Sequence, residues 1–292
     1  MSDWSEWQVL RMAATPGEVT LAETLDGGQS FRWQRNDEGV WTGIFGHHVA
    51  QLKLHPEGLL WRQPLGKLDI TSDLGFYLDA SGVQARAIDT LPWRSDSFLA
   101  GALSRFPGLR ILRQTPDEAL LAFLCSSNKQ IIQIRRMVAA LANRLGKELA
   151  PGFHALPDWT KLAQADAATL KACGLGYRAK FIHATARELE RWPNWAKELG
   201  VLETDALLLE LTKLPGVGPK VAACVALFGF GRLESFPVDT WIERILVEGY
   251  ALNGWKRTAL EHFGRAHYGA AAGLAQQFLF AAARAESKKS KN

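Results

Sequence analysis

One stretch, Leu214-Pro215-Gly216-Val217-Gly218-Pro219-Lys220, constrains this 292-residue chain more than any other. Its two glycines permit positive φ and let the backbone come close to a ligand. Pro219 suits the first position of a helix, where a missing N–H is no loss. The stretch therefore reads as a tight turn between a helix over 205–213 and another over 220–228. Such a turn aims free backbone N–H groups and a positive helix end outward, which suits an anion and most naturally a phosphate. Lys220 sits directly behind that place, and Asp239, in Phe236-Pro237-Val238-Asp239, follows nineteen residues later. Asp239 also reads as an N-cap for a helix beginning Thr240-Trp241-Ile242-Glu243.

The remaining pattern divides the chain in two. From about residue 18 to 65 apolar and polar residues alternate, with strands expected at 31–33, 40–45 and 52–54 and turns at 26–28 and 36–39. Thr115-Pro116-Asp117-Glu118 is a capping box with proline at the first helical position. Beyond it the spacing predicts helices over 119–125, 131–145, 167–173, 180–191, 240–248, 257–263 and 273–285, with Gly174 and Gly229 as stops. The expected class is α+β: a β-rich antiparallel N-terminal domain over 1–112, an all-helical body over 113–285 whose hairpin spans 207–228, and a disordered tail over 286–292. The basic end, Lys288-Lys289-Ser290-Lys291, reads as solvated.

Composition narrows the class less. The chain is 47% hydrophobic, enough for a sizeable core, and its net charge of +4 permits a polyanionic partner without requiring one. Cys125, Cys173 and Cys224 are few and far apart, so neither a disulfide framework nor a zinc knuckle is expected, and reduced thiols fit an intracellular compartment. No signal-like apolar region and no run of about 18 apolar residues is present, so no membrane partner is expected. The neighbours His47 and His48 fall in a strand and point to opposite faces, which makes them a poor metal pair.

The 214–220 turn and Pro237-Val238-Asp239 are joined, in order, by Gly27-Gly28-Gln29-Ser30-Phe31-Arg32-Trp33, Phe123-Leu124-Cys125-Ser126-Ser127-Asn128, Gly174-Leu175-Gly176-Tyr177-Arg178-Ala179 and Ala275-Gln276-Gln277-Phe278-Leu279-Phe280. Together they resemble the helix-hairpin-helix-Gly-Pro-Asp superfamily of DNA glycosylases, and within it the 8-oxoguanine DNA glycosylase/AP lyase family. The resemblance implies a helix-hairpin-helix glycosylase body and a base-excision repair enzyme that acts on damaged double-stranded DNA as an intracellular monomer. Lys220 would be the nucleophile and Asp239 the carboxylate that stabilises charge developing at C1′. Cys224 and Phe280 would sandwich the extruded base, Gln276 would bond its Watson–Crick edge, and the Gly28 carbonyl would accept from the N7–H that 8-oxoguanine has and guanine lacks.

Other residues would meet the DNA. Gly216 and Gly218 would approach a phosphate, Asn128 and Tyr177 would enter the space left by the flipped base, and Arg178 would bond the orphaned cytosine. Two positions depart from the family pattern. Gln133 stands where relatives carry an arginine that reads the orphaned base, and Trp241 where they carry a histidine near the lesion phosphate. No cofactor is expected to be required. The four clustered cysteines of an iron–sulfur loop are missing, no side-chain metal site is evident, and a structural cation could be held by the carbonyls of Thr212, Leu214 and Val217. Two other readings stay open at this level: a glycosylase for another damaged purine, of the alkylpurine type, and a non-catalytic helix-hairpin-helix DNA-binding protein.

Overall fold

The computed structural model describes residues 3–289, with side chains described as far as Ser287. The first part of the chain builds one antiparallel sheet from β1 (Gln8–Leu10), β2 (Trp33–Arg35), β3 (Trp41–Phe45), β4 (His48–His55) and β5 (Gly58–Arg62), in the order β1-β5-β4-β3-β2. Gly43 pairs with Trp33 across β3 and β2. A Cβ there would lie 2.2 Å from the indole, so glycine is what lets that ring lie flat across the strand. Trp33, Trp41, Phe45, Leu52, Leu59 and Trp61 fill the space behind the sheet.

Helices also occupy this region: α1 (Glu18–Asp26), α2 (Thr71–Tyr77), α3 (Val83–Ile88) and α4 (Ser97–Arg105). The first corrects the alternating reading of residues 18 onward. Thr20, Leu21, Thr24 and Leu25 are the buried set, a spacing that a helix puts on one face and a strand does not. The strand expected at 31–33 forms two residues later, because Phe31 leaves the sheet and packs edge-on against Phe123 of the body, ring centres 5.8 Å apart.

The body comprises α5 (Pro116–Ser126), α6 (Ile131–Leu145), α7 (Trp159–Gln164), α8 (Ala167–Ala172), α9 (Arg178–Glu190), α10 (Trp195–Gly200), α11 (Thr204–Thr212), α12 (Pro219–Phe228), α13 (Thr240–Tyr250), α14 (Arg257–Tyr268) and α15 (Ala272–Lys289). It is not wholly helical. A short hairpin of β6 (Glu148–Ala150) and β7 (Phe153–His154) interrupts it, and Ala150 packs with Ile44 and Val49 of the sheet. At the far end α15 continues through Lys289, where a disordered tail was expected from 286, and Glu286 pairs with Arg105. Residues 290–292 of that expected tail lie outside the described residues.

Two helices form the centre. α5 is buried from Glu118 to Ser126 and α12 from Val221 to Phe228, so each is apolar all round, as a core helix must be. Their rings Phe123 and Phe228 stack at 5.2 Å. Thr115 caps α5 by accepting from the Glu118 amide at 3.3 Å, with Pro116 behind it, but the expected capping box forms only in this half, because the Glu118 side chain does not turn back to Thr115. Glu118 turns its carboxylate to the sheet and accepts from the Gly46 amide at 3.0 Å. Burial pushes the Glu118 carboxyl up from its ordinary value, opposed by Arg32, and burial likewise lowers Arg32, opposed by Glu118. Both groups therefore sit on the seam between sheet and body, Glu118 bonded to the Gly46 amide and Arg32 to the His154 carbonyl. Among the described residues no helix is long and apolar enough to cross a membrane.

Candidate active site and DNA-facing surface

The hairpin between α11 and α12 forms as its sequence dictates. Gly216 has φ +80°, and a Cβ there would stand 2.6 Å from the Phe181 side chain, so both conformation and space demand glycine. The Thr185 hydroxyl donates to the Pro215 carbonyl at 2.7 Å and fastens the turn to α9. Gly218 is the N-cap of α12 and contributes no capping side chain, so the first amides of α12 keep their free hydrogens. Gly216, Gly218 and Pro219 are exposed, with open space around the Gly218 Cα. The tip of the hairpin is thus bare backbone with a positive helix end behind it.

Lys220, half-buried, begins the next turn of α12. Its Nζ donates to the Ser126 hydroxyl at 3.2 Å and lies 5.2 Å from the centre of the Phe123 ring. The Ser126 hydroxyl spends its own hydrogen on the Phe123 carbonyl at 2.7 Å, so it faces the amine as an acceptor. Cys224, one turn on, is buried, and burial pushes its thiol up to about 11, opposed by Lys220 and reinforced by Asp239. The Cys224 thiol thus feels both the Lys220 amine and the Asp239 carboxylate, which puts the three groups near one another. Asp239 caps α13 by accepting from the amides of Trp241 at 3.0 Å and Ile242 at 2.9 Å, both on Oδ1. Both capping bonds fall on one oxygen and leave Oδ2 uncommitted by the cap, so the structural and the chemical readings of Asp239 are compatible.

A second set of residues meets at the end of α1. Gly28 has φ +103°, and a Cβ on it would lie 3.0 Å from the Ile131 side chain and 3.6 Å from the Phe280 ring. Gly27 is placed differently: a Cβ there would run into the backbone and carboxylate of Glu23. The residue that borders the aromatic wall is accordingly Gly28. Gln276 lies one turn before Phe280 on α15 and is buried, its Oε1 accepting from Gln277 at 2.7 Å, which leaves its amide hydrogens for a ligand. Gly273 brings α15 onto α12, where a Cβ would collide with Leu227 at 2.3 Å, and so places Gln276 near the helix that carries Cys224.

Asn128 is exposed in the break between α5 and α6 and has φ +51°, a left-handed conformation that asparagine tolerates. Tyr177 is 52% exposed at the start of α9. Arg178, expected to bond the orphaned cytosine, is only 4% exposed. Its guanidinium donates to the Ser127 carbonyl and lies 4.5 Å from the Tyr177 ring centre, so it ties the start of α9 to the Asn128 break. Gln133 is exposed, but its Oε1 accepts from the Gln130 amide at 3.2 Å in a capping box, leaving only N–H groups to present outward. Trp241 is half-buried under Arg244, whose guanidinium lies 4.8 Å from its ring.

Three contributors went unread in the sequence. Ser126 and Phe123 fall within the stretch 123–128, yet nothing local shows that Lys220 reaches them. Ile131 was read only as the start of a helix. Among the described residues no group of three or more metal-ligating side chains is present.

Two family models account for most of the chain. Residues 11–120 match the N-terminal domain of 8-oxoguanine DNA glycosylase, and residues 121–264 match the HhH-GPD superfamily of base excision DNA repair proteins. N-glycosylase/DNA lyase OGG1 of Arabidopsis thaliana is 33% identical, over 95% of this chain and 80% of that protein. The chain belongs to the 8-oxoguanine DNA glycosylase family. The N-glycosylase/DNA lyase of Saccharomyces cerevisiae, another member, is 29% identical over 84% of this chain and 72% of its own length. The Clostridium acetobutylicum 8-oxoguanine glycosylase/lyase, solved with duplex DNA containing cytosine opposite 8-oxoguanine, superposes with a TM-score of 0.85 at 26% identity, over 98% of this chain and 100% of that one. A 3-methyladenine DNA glycosylase from Archaeoglobus fulgidus shares the fold, with a TM-score of 0.74 at 18% identity over 96% of this chain and 99% of that one.

Proposed function

We propose that Lys220 is the nucleophile of a bifunctional reaction on 8-oxoguanine in duplex DNA. Family membership makes the chain a base-excision repair glycosylase/lyase. What supports the finer reading is one arrangement: the Lys220 amine and the Asp239 carboxylate both act on the Cys224 thiol, directly behind an exposed backbone hairpin. With the hairpin amides on a phosphate, the extruded nucleotide faces the Nζ. The amine attacks C1′, the Nζ–C1′ bond forms, and the C1′–N9 bond breaks with its electron pair leaving on the base, which takes up the proton that the attacking nitrogen sheds. The Asp239 carboxylate stabilises the positive charge on the sugar. Ring opening gives a Schiff base, and loss of a 2′ proton expels the 3′ phosphate.

Base selection belongs to the Gly28 loop in this reading. The Gly28 carbonyl accepts from N7–H of 8-oxoguanine and repels the lone pair on N7 of guanine. Phe280 and Cys224 cover the two faces of the base, and the Gln276 amide meets its edge. Asn128 and Tyr177 fill the vacated stack, with Gln133 and Trp241 at the DNA surface. Arg178 reaches the orphaned base only by releasing the Ser127 carbonyl; in the structure it instead holds the two invading loops together. A structural cation fits the hairpin if it uses the second lone pair of Leu214 O, which already accepts from the Val217 amide at 3.1 Å.

Borohydride trapping on a duplex with one 8-oxoguanine, comparing wild type with Lys220→Gln, tests the mechanism. A covalent protein–DNA band from wild type alone is expected. Base release by wild type without a band would overturn the amine mechanism in favour of activated water. Neither band nor release would favour another damaged purine or a binding protein.

A further inference from the structure

The Gly27-Gly28 loop is gripped by two helices in the same manner. On α15, Phe280 stands against Gly28, and Arg284 one turn later donates through Nη1 to the Gly27 carbonyl and to Glu23 Oε1, each at 2.7 Å. The same guanidinium lies 5.7 Å from the Phe280 ring centre. On α6, Ile131 stands against Gly28, and Arg135 one turn later pairs with Asp26 Oδ1 at 2.9 Å. Glu23, Asp26 and Gly27 are the last turn and C-cap of α1, a helix end with no basic residue of its own. Two arginines from elsewhere in the chain thus supply the cations that a helix C-terminus favours.

Beyond Gly28 the chain is fixed again. Gln29, wholly buried, donates to the Arg110 carbonyl at 2.8 Å and accepts from the Leu112 amide at 2.9 Å, while Gln114 donates to the Gln29 carbonyl at 2.8 Å. The Gly28 peptide is therefore a short span between two anchored carbonyls, and Arg284 holds one anchor and the aromatic wall together. We propose that Arg284 is a positioning residue, seconded by Arg135, that sets the gap between the Gly28 backbone and the Phe280 ring and thereby decides which purine is admitted. This rests on the reading of Gly28 and Phe280 as the base slot. The Glu23–Arg284 pair is mostly shielded, with side chains 14% and 15% exposed, so the grip is held in place rather than solvated.

The test uses the full-length protein with Arg284→Met, which keeps the aliphatic stem, and Arg284→Lys, which keeps one charge. Three rates are read for each: single-turnover release of 8-oxoguanine opposite cytosine, release of undamaged guanine, and cutting at a preformed abasic site, where no base enters the slot. Arg284→Met is expected to lose about 10- to 100-fold in 8-oxoguanine release, with a lower preference over guanine, while abasic cutting stays within about twofold. Arg284→Lys is expected to fall between. Parallel loss of base release and abasic cutting, or no loss of either, would overturn the proposal. A wild-type protein that cuts abasic sites but releases no 8-oxoguanine would instead overturn the reading of the slot, and the proposal with it.

Discussion

The Lys220 amine donates to the Ser126 hydroxyl across 3.2 Å, and that hydroxyl is itself committed to the Phe123 carbonyl. Ser126 can therefore serve the amine only as an acceptor, and it fixes where the Nζ waits. Ser126→Ala is expected to slow 8-oxoguanine release and abasic cutting together, by about tenfold, as for loss of one positioning hydrogen bond. Binding to a non-cleavable duplex should not change. Single-turnover rates beside a binding titration check this, and wild-type rates in the variant would remove Ser126 from the site.

Gly28→Ala places a methyl group against Ile131 and Phe280 at φ +103°. The backbone strain is about 1–3 kcal/mol, and the methyl enters the space between loop and ring. Base release is expected to collapse while cutting at a preformed abasic site persists. Retained 8-oxoguanine release would place base recognition elsewhere.

The two hairpin glycines should respond differently. Gly216→Ala meets Phe181 at 2.6 Å with φ +80°, and is expected to lower stability by about 1–3 kcal/mol. At Gly218 φ is −88° and nothing lies within 4 Å. Gly218→Ala should cost less than about 1 kcal/mol, the difference between the two residues at an N-cap, and should instead weaken binding to undamaged duplex. Thermal unfolding beside duplex affinity separates the two effects. Equal losses of stability would contradict the assignment.

Asp96 predicts an acid limb. Burial raises its carboxyl, but bonds from the Leu99 amide at 2.9 Å, the Tyr250 hydroxyl at 2.7 Å and His267 at 2.9 Å outweigh it, and the net value falls below the ordinary one. A depressed folded value means stability that is complete above the unfolded value, about 3.9, and lost as pH falls through the folded one. The stability difference between wild type and Asp96→Asn should thus be present above about pH 4 and shrink below it. A pH-independent difference in denaturant titrations would count against it.

The parts legible in the sequence are those with local chemistry. The hairpin follows from two glycines and a proline, and the Asp239 cap from its place ahead of an amphipathic helix; both form as read. Gly28 was selected by resemblance, since a turn glycine and a slot glycine look alike until Phe280 and Ile131 are folded against it. Arg178 is assigned to the orphaned cytosine by the resemblance, and nothing local shows that its guanidinium turns inward. It is buried because the break after α5 leaves the Ser127 carbonyl unpaired and in need of a donor. Ser126 carried no signal at all, as its role exists only once α5 lies beside α12.

The two family segments meet between residues 120 and 121, midway along α5, whose residues there are buried. The boundary between the two matches therefore falls inside an element of the fold. A fragment cut at that junction would end in half a helix, and the front piece would keep Glu118 while losing the apolar packing that shields it. Engineers seeking a minimal version, or a chimera with a front half from another member, should move the joint to the loop before Thr115. Even there the exchanged half must bring its own counterparts of Phe31 and Arg32, because part of the interior of each half is made by the other.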